Sequence, residues 1–455
     1  MANETPQTDQ ATPEPRRTSN MDLLRALGRR RVFLMLLIGL GSGLPFMLVG
    51  NTFGLWLREE GVELATIGFI SWVGLAYSFK FVWAPIVDRF DVPILGRLGR
   101  RRGWLLLSQI VVGLALVAMA MIGPGGGLTA LGIAALVTAF AAATQDIVAD
   151  AFRIETAEND EDQGLLTSAF QLGYRFAILG GTAVILFVAA KIGWAASYAV
   201  WGAAMGIAVA ATLMAREPVD RRDIAAATGG RPPWTPAGLF DAVIGPLIAF
   251  FKQHGSVALL MLAAICLYRL PDFVMGPMTG PFYLDLGLTL EEVGAMRLSA
   301  GLVGTLLGIA AGGLSSIRFG FGATLLLGAF IGPMSNLGYT ILATIGLSTP
   351  AFGAVLFVEN FSEGFAGAAL VAYMGSLTGI GYTATQYALL SSFYAMLGKF
   401  LKGFSGVAVE GLQAGRGLME GYALFFAGTA AVGIPAVILC WFLKRRMDQA
   451  RRTAA

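Results

Sequence analysis

Charged residues are scarce in this chain: of 455 residues only 13% are Asp, Glu, Lys or Arg, against about 25% in soluble domains. A soluble domain of this length needs polar surface that the sequence lacks, so that class is excluded. Histidine occurs once, as His254, and cysteine twice, as Cys266 and Cys440, both within apolar stretches. So thin an inventory excludes a zinc site, a disulfide framework and a Cys–His nucleophile. The cysteines read as small buried apolar residues. Neither a phosphate-cradling loop nor a nucleophile–base pair stands in for them, and an enzyme is not expected. The net charge of +3 informs only through its placement.

What the chain has in abundance is apolar length. It is 56% hydrophobic with a mean hydropathy of +0.69, and a spanning helix needs about 20 apolar residues. The pattern predicts helices over 32–57, 64–87, 103–122, 129–152, 164–190, 194–214, 256–284, 291–314, 321–345, 350–376, 380–404 and 418–444. Segments of this length exclude an outer-membrane barrel, whose strands are about 10 residues long with alternating polarity. The expected fold is an all-α integral membrane protein with about 12 transmembrane helices.

Arginine and lysine orient those helices. The tail, the 88–102 loop, the 215–254 loop and the segment after Leu443 are basic, while the alternate loops carry little positive charge. The positive-inside rule then places both termini in the cytoplasm. Lys399, Lys402 and Arg416, read as part of the last outer loop, are the exception. Residues 1–31 read as a disordered cytoplasmic tail without a cleavable signal peptide, because the first apolar run is too long for a signal h-region. The longest loop falls after six helices and before six more, which divides the chain into a six-helix bundle over 32–214, a cytoplasmic linker over 215–254, a second bundle over 255–444 and a tail over 445–455. The halves echo each other: Asp88-Arg89 and a basic turn follow the second helix, and Gly313 to Gly320 with Arg318 follows the eighth. Repeated halves with a substrate site between them characterise secondary transporters.

At this point the chain resembles the major facilitator superfamily, whose loop signature runs glycine, three residues, then Asp-Arg. Here Ala84 replaces that glycine, residues Asp91 to Leu98 precede Arg100-Arg101-Arg102, and Ile317 replaces the aspartate of the second copy. A longer set of strings runs in order: Ser42-Gly-Leu-Pro45, Thr66-Ile-Gly68, Lys80-Phe-Val-Trp-Ala-Pro85, Arg100-Arg-Arg-Gly-Trp104, Gln145-Asp-Ile-Val-Ala-Asp150, Gly173-Tyr-Arg175, Glu359-Asn360 and Ala384-Thr-Gln-Tyr-Ala-Leu-Leu390. Together they resemble the AmpG-type muropeptide permeases. The resemblance implies two pseudo-symmetric six-helix bundles of the major facilitator fold. It also implies proton-coupled import of N-acetylglucosaminyl-1,6-anhydro-N-acetylmuramic acid, with or without its peptide, across the bacterial inner membrane. The expected partners are then the lipid bilayer, protons and that small molecule. No nucleic acid and no cofactor are expected, the proton gradient being the energy source, and a monomer is expected. The same motifs occur in a branch that carries acetyl-coenzyme A, so that solute or a drug remains an alternative.

Charges at bilayer depth are costly and mark function or pairing. Asp146 and Asp150, four apart, share a face of the fourth helix, and Glu359 with Glu363 repeats the spacing on the tenth. A desolvated carboxylate has its charged form disfavoured and can carry a proton. These four are the expected proton sites, Asp146 first and Glu359 second. The alternative is that they pair with Lys80, Arg153 or Arg175 to lock helices. Arg175 lies about eleven residues, roughly 16 Å, into its helix at 1.5 Å per residue. Arg175 and Arg269 are expected to hold an anionic group of the substrate by bidentate bonds, or else to pair with Asp146 or Asp272. Lys80, Asp272, Gln145, Asn360, Gln386, Tyr77 and Tyr174 complete the expected substrate contacts. Pro271, Pro277 and Pro281 with two glycines are expected to break the seventh helix, and Pro45 to break the first more mildly. Broken backbone at membrane depth lines cavities, so Pro45, Pro271 and Pro277 read as gate elements, and the resemblance implies that Asp88 and Arg89 act as a latch at the cytoplasmic mouth. Gly304, Gly308 and Gly312 predict a close helix–helix approach.

Overall fold

A computed structural model describes residues 29–158, 160–218, 248, 251–252, 255–377 and 395–454. Among these residues there is no strand, and ten helices are long and apolar enough to cross a membrane. The two remaining expected spans are of a different kind. The second runs as the short pieces Leu64–Ile70, Ser71–Leu75, Ala76–Phe79, Lys80–Val82 and Ala84–Arg89, alternating α and 3-10 turns. The eleventh is described only from residue 395 onward, so Gln386 and the string Ala384–Leu390 lie outside the described residues. So do most of the expected tail 1–31 and linker 215–254, while the last helix, Ile434–Ala454, continues through the expected tail 445–455.

Two breaks fall elsewhere than proline alone predicts. The first span is regular through Pro45 from Arg30 to Leu48, breaks at Val49-Gly50, and resumes as Asn51–Glu59. The seventh breaks at Arg269, between Ala258–Tyr268 and Leu270–Asp285, and the proline-rich stretch beyond it is helical. Pro271 sits in the first turn of the new helix, where a missing N–H costs nothing. Pro277 and Pro281, four apart inside the same helix, place their two lost donors on a single face.

The apolar core explains the shape. One buried cluster joins both halves at the end opposite the termini, and includes Phe53, Trp56, Tyr198, Phe282, Tyr339 and Phe426. At the terminal end there are instead two separate cores. One is built on Ile38, Phe152 and Phe170 of the first half, and the other on Tyr268, Leu370 and Tyr373 of the second. A shared core at one end and split cores at the other make two bundles that are sealed at the distal end and parted at the terminal end. The broad contacts between halves agree. Asn51–Glu59 packs on Leu270–Asp285, Leu64–Ile70 on Ser405–Gln413, and Ile185–Ile192 on Leu290–Met296. Large apolar side chains such as Leu114, Met121, Leu306 and Leu314 face outward, a surface that would aggregate in water and that lipid requires.

Within each half, glycine sets helix spacing. A β-carbon on Gly304, Gly308 or Gly312 of the eighth span would meet the carbonyls of Phe357, Phe361 and Phe365 on the tenth, whereas one on Gly313 would meet nothing. Gly308→Leu is therefore expected to lower stability by about 1–3 kcal/mol through overpacking, read as a fall of several degrees in the unfolding temperature in detergent. Gly313→Leu should leave it unchanged, and equal effects of the two would refute the close approach.

Candidate functional site

The distal seal is polar as well as apolar. Arg58, ending the first span, donates from Nε to both oxygens of Asp285, ending the seventh, at 2.8 and 3.0 Å. The Tyr422 hydroxyl donates to the same carboxylate at 2.7 Å. Glu410 accepts from the Ala65 N–H at 2.8 Å, at the start of the second span. Trp72 donates to the Phe400 carbonyl at 2.8 Å and stacks on the Phe400 ring, centroids 5.7 Å apart. A fourth strut joins two irregular turns: the fifth span carries a π-helical segment at Gly180–Val184, and the eighth carries one at Arg297–Gly301. Such segments release carbonyls from the helical ladder, often at functional sites. Here Thr52 takes the Gly181 carbonyl at 2.6 Å and Arg297 takes that of Thr182 at 2.8 Å.

Toward the parted end, the expected residues gather in two clusters, one per half. In the first, Lys80 Nζ stands 3.8 Å from Asp146 Oδ2. Tyr77 and Tyr174 lie in the field of Asp146. Lys399 of the eleventh span reaches the same group from the other half, interacting with both Lys80 and Asp146. Asp150, half exposed, is held by Arg153 one turn on, at 3.2 Å. Arg175 is exposed and makes no ion pair among the described residues, so the alternative of an Arg175–Asp146 lock is not found.

The second cluster centres on the break in the seventh span. Arg269 bridges Asp272 at 2.7 Å and Glu363 at 2.6 Å, so its expected pairing with Asp272 is present and a second carboxylate is added. Glu359, one turn from Glu363, accepts from Asn360 Nδ2 at 2.6 Å, while the Asn360 carbonyl accepts from Thr305 at 3.2 Å. Among the described residues no cation stands within ion-pair distance of Glu359; Arg297 and Arg269 act on it only at longer range. Beside it, Tyr283 and Tyr339 share a hydroxyl–hydroxyl bond of 2.9 Å, with the Arg297 guanidinium over the Tyr283 ring.

Three expectations are corrected or bounded. Gln145 is fully buried and donates to Ser42 at 3.3 Å, bolting the fourth span to the first rather than facing a substrate. Its neighbour Asp146 turns the other way because successive helical residues do not share a face. Lys399 and Lys402 are not in a loop: they stand within the eleventh span, which is helical from 395 to Gln413. The backbone of Asp88 and Arg89 closes the second span, and their side chains lie outside the description. The arginine cluster after them binds within its own half, Arg101 to Glu155 at 2.6 Å and the Arg102 Nη2 to the Leu213 carbonyl at 2.7 Å. Sequence reasoning passed over Arg297 and Arg58. A lone arginine inside an apolar run, as in Ala295-Met-Arg-Leu-Ser299, was the available signal for the first.

Comparison with known proteins gives this geometry a setting. A family model described as Major Facilitator Superfamily matches residues 35–402. The anhydromuropeptide permease of Escherichia coli K12 is 33% identical over 94% of this chain and 82% of its own length. The putative transporter AmpG 4 of Rickettsia felis is 30% identical over 92% of this chain and 97% of its own. Among solved structures, the nucleoside transporter NupG superposes with a TM-score of 0.68 over 91% of this chain and 99% of its own, at 16% identity. A bacterial homologue of the human lysosomal transporter Spinster, solved inward-facing and occupied, gives 0.62 over 94% of this chain and 98% of its own. These neighbours share the fold, and the relatives with the family model make this chain a transporter and not an enzyme. Both the full-length identity and the two-bundle architecture agree that the chain belongs to the AmpG-type muropeptide permease family of the major facilitator superfamily.

Proposed function

We propose that the protein carries anhydro-muropeptides into the bacterial cytoplasm by alternating access, drawing on the proton gradient across the inner membrane. The permease named for this substrate is alike over nearly the whole chain. Orientation follows from the arginines at the parted end, including Arg30, Arg31, Arg97, Arg100 and Arg102, which the positive-inside rule puts in the cytoplasm with both termini. The sealed distal end is then periplasmic, and the conformation is open to the cytoplasm.

The observation that carries the coupling is the imbalance of the second cluster. Asp272, Glu359 and Glu363 face Arg269, with Arg297 beyond ion-pair distance. Arg269 satisfies two of the three carboxylates. Glu359 is left with an amide donor, a partner that suits a carboxyl group in either protonation state. A proton taken up from the periplasmic side neutralises it, and its loss to the cytoplasm restores the charge. Asp146 has counter-charges that Glu359 lacks, Lys80 at 3.8 Å and Lys399 in range, so Glu359 is taken as the first choice and Asp146 as the second.

The test is uptake of labelled N-acetylglucosaminyl-1,6-anhydro-N-acetylmuramic acid by purified protein in liposomes with an acidic exterior. Saturable accumulation that collapses with a protonophore is expected. Uptake indifferent to the gradient would remove the coupling, and no uptake would remove the substrate.

A further inference from the structure

The first cluster is unbalanced in the opposite sense. Lys399 and Lys402, three apart on the eleventh span, lie on one face of it, and neither makes an ion pair among the described residues. Lys399 interacts with Lys80 and Asp146. Lys402 has Lys399 as its charged neighbour. Its ammonium reaches across to the second span, where a β-carbon on Gly74 would sit 3.2 Å from it. It also lines a small cavity at the joint between the halves, with Gly50, Asn51, Ser71 and Pro277. In that wall the Ser71 hydroxyl is buried without a hydrogen-bond partner. The cavity lies at the break in the first span, so the opening turn of Asn51–Glu59 adds the positive end of a helix. Lys80 and Lys399 thus flank one aspartate, which stands 3.8 Å from Lys80, and Lys402 adds a third ammonium beside Lys399.

An ammonium sunk at this depth without a counter-charge costs several kcal/mol, and two side by side repel. A transport site tolerates that arrangement if its cargo brings the missing negative charge. Arg269 is less able to serve, since Asp272 and Glu363 already occupy its guanidinium. We propose that Lys399 and Lys402, together with Lys80, form the anion subsite of the transport cavity and receive a carboxylate of the cargo. The proposal deepens the muropeptide reading, on which its choice of cargo rests. It makes the free carboxylate a requirement, so that sugars lacking one are poor substrates. Because Lys80 belongs to the first half and the other two to the second, a bound carboxylate draws the halves together just below the seal.

Two measurements test it. In the first, the detergent-purified parent and the Lys399→Gln, Lys402→Gln double variant are titrated with N-acetylglucosaminyl-1,6-anhydro-N-acetylmuramic acid and with its lactyl amide. The parent should prefer the acid by roughly tenfold or more, the size of one hydrogen bond to a charged group. The glutamine variant should lose that preference while binding the amide as before, and Lys399→Arg with Lys402→Arg should keep it. In the second, thermal unfolding is followed with added citrate against sodium chloride at equal ionic strength. Citrate should raise the unfolding temperature of the parent more than that of the glutamine variant. An acid preference that survives in the glutamine variant, or citrate stabilisation equal in both proteins, overturns the subsite. A parent that binds neither muropeptide form yet shows the citrate difference keeps the subsite and loses the muropeptide reading.

Discussion

Glu359→Gln is expected to abolish concentrative uptake while leaving exchange of substrate across the membrane intact. Glutamine keeps the volume and the oxygen that accepts from Asn360 Nδ2 at 2.6 Å, so the tenth span should pack as before. What it cannot do is gain or release a proton. If one proton moves with each substrate molecule, a unit of pH difference is worth about 1.4 kcal/mol, or a tenfold accumulation, and the variant should forfeit all of it. Counterflow, in which labelled substrate exchanges for unlabelled with no gradient, should continue at a rate close to that of the parent. Glu363→Gln provides the contrast. It removes one partner of Arg269, which retains Asp272 at 2.7 Å, and so should weaken uptake without uncoupling it. Undiminished accumulation by Glu359→Gln would exclude Glu359 from proton movement and return Asp146 to first place, where Asp146→Asn would be tested in the same way.

Which residues the sequence placed well, and which badly, follows from the range of the forces involved. Helical spacing is local, so Asp146 and Asp150 on one face, Glu359 and Glu363 on another, and the glycine stripe of the eighth span are all where their spacing puts them. Partner choice is not local. The Arg269–Glu363 bond joins positions 94 residues apart, and that of Arg58 with Asp285 spans 227. No periodicity encodes either. Charge counting assigns Lys399 and Lys402 to the last outer loop although the apolar pattern places both within the 380–404 helix, and the structure sides with the pattern. Proline counting misplaced the breaks. The seventh span yields at Arg269, whose backbone leaves helical geometry, while Pro271 starts the next helix. Its place in a string beside Asp146 makes Gln145 look like a contact, yet adjacent helical residues point different ways, and Asp146 faces Lys80 while Gln145 faces the first span.

Breaking the Arg58–Asp285 bond should shift the protein toward opening at its distal end. The pair closes the first and seventh spans against each other, is mostly buried, and receives a further bond from Tyr422. Removing one partner of a buried ion pair leaves the other uncompensated, at a cost of about 3–5 kcal/mol when fully enclosed. At the rim of the seal, where water screens the pair, roughly 1–3 kcal/mol is a fair expectation. Since 1.4 kcal/mol is a factor of ten in a two-state population, Arg58→Gln or Asp285→Asn should move the balance of conformations about tenfold or more. Spin labels at Glu60 and Leu347, on exposed distal loops of the two halves, would report it, after Cys266 and Cys440 are replaced. The parent should give one short distance, and either single variant should add a longer one. The exchanged pair, Arg58→Asp with Asp285→Arg, should restore the short distance, because attraction across the seal is regained with the ends reversed. Arg297→Gln, which frees the Thr182 carbonyl held at 2.8 Å, should add to the opening rather than replace it, since the two struts sit on different helix pairs. Single variants that keep only the short distance would show that the apolar core shared by the halves, and not this bond, holds the distal end shut.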